Sequence, residues 1–217
     1  MLFQTPQGPR DLSVAQVFVA GWTGRDSGQV QHHIRELEAI GVAPPSETPL
    51  FYRVSAALLC QSDSIQVLGP DTSGEAEPLI VRSGGRTWLG LASDHTDRKL
   101  ETHSVAHSKQ ACMKPAAGTV WPMDEVAGHL DRIEIRSWLL ENEAWVAYQD
   151  GTLAQILPLE DLIAGAALPD GAAMLCGTVP AVGGVRAGDG FSMEFHDPVR
   201  DRTIRAAYRT VSLEIVS

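Results

Sequence analysis

Glu75 and Glu77 stand two residues apart, Leu79, Ile80 and Val81 follow them, and Asp94 closes the next apolar run, Trp88-Leu89-Gly90-Leu91-Ala92. A run of this kind reads as a strand, and side chains two apart on a strand leave the same face. Two carboxylates so placed repel each other unless a cation sits between them. With Asp94 they make three hard oxygen donors, a set that suits an octahedral Mg²⁺ or Mn²⁺ with positions left over for water or substrate. The same spacing admits a plainer reading. The two glutamates would then be surface groups on an edge strand, and Asp94 with Arg98, four residues on, a helical ion pair.

Other residues could do chemistry beside that set. His33 and Glu36 are three apart in a helical pattern and share one face. A carboxylate beside an imidazole fixes its tautomer and makes it a better base for activating water. His32, Arg35 and Glu38 are polar as well, so this stretch also fits a solvated face, and His32 competes with His33 as the base. Lys109 could steer an anion or stabilise an oxyanion, or be one more solvated lysine. His103 and His107 are four apart and form a zinc set only if His95 joins them. No Glu follows His103 as it does in the metalloprotease signature. Gly183, Gly184, Gly188 and Gly190 match neither the Walker nor the dinucleotide pattern and read as a flexible loop.

The elements that must position these groups are mostly strands. Val17–Ala20 reads as a buried strand running into a Gly-rich turn at 21–26. A helix then follows, capped by Asp26 or Ser27, striped by Val30, Ile34 and Leu37, and stopped by Gly41. Leu50–Leu59 suits a strand or short helix, and residues 64–92 are β-rich with turns at Gly69-Pro70 and Gly84-Gly85. The pattern predicts a helix from about Thr96 to His107 and two strands around Glu141-Asn142-Glu143. Further on it predicts a short helix at Leu159–Ala164 and a buried strand ending at Gly177-Thr178, with closing strands at Phe191–Phe195 and Arg205–Val216. Many short strands with few helices predict an α+β, mostly β fold: a mixed, rolled or barrel-like β core with flanking helices. The whole chain, 1–217, reads as one catalytic domain.

Composition narrows the class. The formal charge of −10, from 17 Lys and Arg against 27 Asp and Glu, argues against nucleic acid and against an anionic membrane surface. No apolar run approaches the length that spans a bilayer, and the N-terminus lacks a basic segment followed by an apolar one, so a cytoplasmic location is expected. Three widely spaced cysteines, Cys60, Cys112 and Cys176, fit reduced thiols better than a disulfide framework.

The order of the motifs adds what no single one carries. The chain resembles the fumarylacetoacetate hydrolase superfamily, in a divergent bacterial branch. Ala20-Gly21, His33-x-x-Glu36, Gly41 and Pro49-Leu50-Phe51-Tyr52 are similar to its opening segment. Glu75-Ala76-Glu77 looks like its Glu-x-Glu motif, and Asp94-His95-Thr96-Asp97-Arg98 like its Asp-x-(Ser/Thr)-x-Arg motif. Ser108-Lys109 fits the lysine that follows, and Gln149-Asp150-Gly151-Thr152 a Gln-x-x-Thr element. Leu168-Pro169-Asp170-Gly171 through Gly177-Thr178-Val179-Pro180 resembles its last strand and turn.

That resemblance implies a mixed β-roll core, a homodimer, Mg²⁺ or Mn²⁺, and a small anionic 2-oxo acid or diketo acid as substrate. Glu75, Glu77 and Asp94 would ligate the ion. His33 with Glu36, and Lys109, would act in catalysis, while Arg98, Gln149 and Thr178 would orient the substrate. The leading expectation is a metal-dependent hydrolase that cleaves a C–C bond of an acylpyruvate-like or β-diketo acid through a metal-chelated enolate. The alternative is a hydratase, dehydratase or decarboxylase acting on a 2-oxo acid at the same site. A non-catalytic, metal-stabilised binding protein is a third reading.

Overall fold

The computed structural model describes residues 1–39 and 44–216, apart from the side chains of His33, Glu36 and Leu37. The chain builds two larger sheets. The first has six strands in the order Trp121–Pro122, Arg86–Ser93, Ala76–Ser83, Ala172–Leu175, Gln16–Gly21, Leu50–Val54. The second has five, in the order Ala144–Thr152, Glu134–Glu141, Gly190–Asp197, Arg202–Leu213, Ser64–Leu68. Each is mixed: Ala172–Leu175 runs parallel to Gln16–Gly21, and Arg202–Leu213 parallel to Ser64–Leu68.

The six-stranded sheet is buried on both faces, which is why its strands are unbroken apolar runs rather than alternating ones. Phe18, Ala20, Ile80, Leu89, Leu91 and Met174 share a core with Ile135, Leu139, Phe191, Met193, Phe195 and Tyr208 of the five-stranded sheet. On the opposite face Val17, Val19, Leu79, Val81, Trp88 and Leu175 pack with Phe3, Leu12 and Val120. The five-stranded sheet has one dry face, and Arg202–Leu213 accordingly buries only Ile204 and Tyr208. The result is α+β and mostly β, with helices few and short, as the pattern of the chain predicts.

Turn chemistry sets the registers. Gly84 and Gly85, at φ 62° and 72°, close the hairpin of Ala76–Ser83 with Arg86–Ser93. Asn142 and Glu143, at φ 48° and 66°, close the hairpin of the five-stranded sheet. The helix Ser27–Ala39 is capped by Asp26, whose Oδ1 accepts from the Gly28 and Gln29 amides at 2.9 and 3.1 Å. Its expected stop at Gly41 lies outside the described residues.

Some expected elements change. The helix predicted over 96–107 is two shorter ones, Arg98–Glu101 and Val105–Ala111, and Thr96-Asp97 is extended and pairs with Thr72-Ser73. The break has a local cause: Asp97 caps the first helix, and Ser104 caps the second by accepting from the His107 amide. Leu50–Leu59 divides into a strand, Leu50–Val54, and a 3₁₀ turn, Ala56–Leu58, capped by Ser55. The three cysteines are free thiols. Among the described residues no helix is long and apolar enough to cross a membrane.

Candidate metal centre

The hairpin Ala76–Ser83/Arg86–Ser93 places the acidic groups. Its register pairs Ala76 with Ser93, and the Asp94 amide donates to the Glu75 carbonyl at 3.0 Å, so Asp94 and Glu75 face each other one residue past the end of the ladder. Glu77 lies two residues on along the same edge. The ligand atoms of Glu75, Glu77 and Asp94 all fall within 4.8 Å of one another, and among the described residues they are the group so placed. Glu75 is not inside the strand, as expected from its spacing, but immediately before it. Gly74 makes this possible, because a Cβ there would lie 2.5 Å from Tyr208 Oη and 2.7 Å from Ser93 Oγ.

Glu77 and Asp94 are buried, at 2% and 0% exposure. Glu77 Oε2 accepts from the Gly177 amide at 2.8 Å. Gly177 sits at φ 92°, and a Cβ on it would come within 1.7 Å of Thr23 Oγ1, so only glycine brings this amide to the carboxylate. Burial first, and then the Asp94 charge, push the Glu77 carboxyl well above the usual range. Asp94 goes the other way. Burial opposes its ionisation, but the ammonium groups of Lys109 and Lys114 outweigh burial and hold the carboxyl well below the usual range.

Lys109 Nζ donates to Asp94 Oδ2 and also lies in the field of Glu77 and Glu75. Lys114, fully buried, lies 3.0 Å from Asp94 Oδ1 and donates to the His95 carbonyl at 2.6 Å. The Asp94–Lys114 contact is an ion pair without hydrogen-bond alignment, which leaves Asp94 Oδ1 buried without a hydrogen-bond partner. The motif reading did not single out Lys114. Its one signal was a lone charge inside the apolar stretch Ala111-Cys112-Met113-Lys114-Pro115-Ala116. Arg98 is 3.3 Å from Glu75 and 3.0 Å from Glu101, and its Nε donates to Ser73 Oγ at 2.7 Å, so it holds Glu75 in place and does not pair with Asp94.

Gln149 is spent on the protein. Its Oε1 accepts from the Ala76 amide and Ser137 Oγ at 2.9 and 2.7 Å. Its Nε2 donates to Thr178 Oγ1 and the Val179 carbonyl at 2.6 and 2.7 Å. Thr178 Oγ1 donates in turn to the Ala76 carbonyl at 2.7 Å. These bonds tie the Gly177-Thr178 turn to the residue between the two glutamates. The side chains of His33 and Glu36 lie outside the described residues.

The zinc set does not assemble. His95 is buried between Tyr208 Oη and Thr72 Oγ1, 2.8 Å from each, while His103 and His107 are exposed. Burial, then the Lys114 and Arg98 charges, lower the His95 pKa to about 3, so the ring is neutral and exchanges hydrogen bonds with two hydroxyls.

The donor set fits a hard divalent cation. It is all oxygen, one of its buried carboxylate oxygens lacks a hydrogen-bond partner, and one of its carboxylates resists ionisation because it is buried beside a second carboxylate. It does not suit a thiolate-seeking metal. A family model described as "Protein of unknown function (DUF2848)" matches residues 20–208. The chain belongs to DUF2848. No curated protein matches this DUF2848 chain by sequence.

Solved structures share its fold. Cg1458 with an inhibitor superposes at a TM-score of 0.67 and 17% identity, over 95% of this chain and 81% of that one. For 2-keto-3-deoxy-D-arabinonate dehydratase complexed with magnesium and 2,5-dioxopentanoate the values are 0.65 and 12%, over 94% and 75%. For the 5-carboxymethyl-2-hydroxymuconate delta-isomerase of Mycobacterium smegmatis they are 0.62 and 16%, over 96% and 82%. The DUF2848 chain therefore has the fold of the fumarylacetoacetate hydrolase superfamily, as its motif order suggests.

Proposed function

We propose that this chain is a Mg²⁺- or Mn²⁺-dependent enzyme that hydrolyses a carbon–carbon bond in a small anionic acylpyruvate-like or β-diketo acid. The observation that carries the reading is the carboxylate triad set among the cations Lys109, Lys114 and Arg98. Glu75, Glu77 and Asp94 are the residues that would hold the ion, which would polarise a substrate carbonyl and turn the local charge positive in an otherwise acidic molecule.

The chain's own groups divide the remaining work. Lys114 and the Gly177 amide fix Asp94 and Glu77 from behind, and Arg98 fixes Glu75. Lys109 is the cation that meets the substrate's anionic oxygen. Thr178, half-buried and held by Gln149, orients the substrate by turning its hydroxyl from the Ala76 carbonyl toward it. His33 and Glu36, three apart on the helix that Asp26 caps, activate the water or move the proton at carbon.

A second reading is a lyase, that is, a hydratase, dehydratase or decarboxylase, acting on a 2-oxo acid at the same residues. It is favoured by the structurally similar dehydratase, which is complexed with magnesium and 2,5-dioxopentanoate. Turnover of a panel of acylpyruvates and 2-oxo acids with and without Mg²⁺ decides between them. Glu75→Gln is the blank. Loss of substrate that needs both the metal and Glu75 supports an enzyme, and the product tells hydrolysis from elimination or decarboxylation. An absence of both turnover and metal binding would sink the proposal.

A further inference from the structure

We infer that Lys109 is an exchangeable counter-ion of the acidic triad, neutralising it while no divalent ion is held and withdrawing from Asp94 when one binds. The inference rests on the metal reading above and says how the site is loaded.

The argument starts from Asp94. Both of its oxygens face an ammonium, Oδ2 that of Lys109 and Oδ1 that of Lys114. Each oxygen keeps a lone pair to spare, but a dication brought to Asp94 is repelled by both ammonium groups, and strongly so in a dry site. That repulsion is relieved when the more mobile lysine moves away. Lys114 is fixed: it is wholly buried, it donates to the His95 carbonyl, and its backbone lies in the short parallel pairing of Lys114-Pro115 with Leu59-Cys60.

Lys109 is the freer of the two. It stands near the end of the seven-residue helix Val105–Ala111, is 7% exposed, and donates to Asp94 alone among the hydrogen bonds of the described residues. A second seat lies nearby, since its Nζ is 5.8 Å from the centre of the half-buried Tyr52 ring, within reach of a cation–π contact. Four methylenes allow the ammonium to move without moving the helix. An ammonium so released is free to meet the anionic oxygen of a substrate, so metal entry and substrate recognition become one linked event.

The test is lysine acylation of the wild-type protein with a water-soluble acetyl ester, read by mass spectrometry in chelator and in Mn²⁺. Mn²⁺ affinity is measured by calorimetry on the same preparation. Acylation of Lys109 should rise at least about tenfold in Mn²⁺, while Lys114 stays protected in both conditions. Mn²⁺ binding with Lys109 equally protected overturns the inference and leaves the metal site intact. No Mn²⁺ binding at all overturns both. Lys109→Met supplies an independent arm: its Mn²⁺ Kd should fall at least about tenfold, and its metal-free Tm should drop. An unchanged or weaker affinity would overturn the inference. The footprint needs no variant, so it decides the matter even if Lys109→Met does not fold.

Discussion

Glu77 sits where its surroundings disfavour the ionised form, which makes its replacement informative. Burial, and then Asp94, raise its pKa above the unfolded value, so the ionised carboxylate costs stability at neutral pH. That cost is absent below the unfolded pKa and grows as pH rises toward the folded one. Without metal, Glu77→Gln should therefore stabilise the protein by about 1 kcal/mol at pH 7 in urea unfolding, since the Gln oxygen still accepts from Gly177. The same variant should lose any rise in Tm on adding Mn²⁺. A destabilised metal-free variant would refute this view of the site. The convergence of Glu75, Glu77 and Asp94 was legible from spacing joined to motif order, since spacing alone also allowed surface glutamates and Glu75 in fact precedes the strand. Who would occupy Arg98 and Gln149 was not. A guanidinium or amide advertises hydrogen-bonding capacity, but the groups that use it come from segments distant in sequence, such as Ser137 and Val179. Lys114 was hidden for the same reason.

At the level of elements, the hairpin delivers the acids and the Gly177-Thr178 turn braces them. Gly177→Ala meets both a positive φ and the Thr23 hydroxyl. It should cost about 2–4 kcal/mol of stability. It should also weaken Mn²⁺ binding, because the Glu77 carboxylate loses its fixed donor; calorimetry and urea unfolding check the two effects separately. A variant that keeps wild-type stability would show that the turn has slack. The strands and both two-residue turns were readable from apolar runs and from Gly-Gly and Asn-Glu. The division of the 96–107 helix was not, although Asp97 and Ser104, both good cap residues, marked the two starts. Helical spacing favours continuity, and the pairing of Thr96-Asp97 with Thr72-Ser73 is a tertiary effect that periodicity does not register.

Across the whole molecule, Asp197 joins the two sheets' connecting segments. Its buried carboxylate accepts from His129 at 2.9 Å, from Arg202 at 3.1 Å and from the Val199 and Arg200 amides. Arg202 reaches on to Glu125 at 2.8 Å and lies 4.5 Å from the Trp121 ring centre. Burial opposes ionisation, but these donors prevail and lower the Asp197 pKa. The stability it contributes is thus present above the unfolded carboxylate value and is lost as pH falls through the lower folded value. Asp197→Asn should cost about 1–3 kcal/mol at pH 7, a difference that shrinks below about pH 4. A pH-independent difference in urea midpoints would refute it. The α+β, mostly β class was legible from many short strands, but the division into two sheets and the strand order were not, because nothing local says that Ala172–Leu175 inserts between Ala76–Ser83 and Gln16–Gly21. The site hairpin has one more consequence, for how such a chain can change by insertion and deletion. Side-chain direction alternates along each strand, so losing one residue between Glu77 and Gly84, or between Gly85 and Asp94, turns an acidic group to the opposite face. Loss of two residues, or of one from each strand, preserves the facing. Lengths in this hairpin are therefore constrained by parity, and its two-residue tip by the positive φ that Gly84 and Gly85 supply.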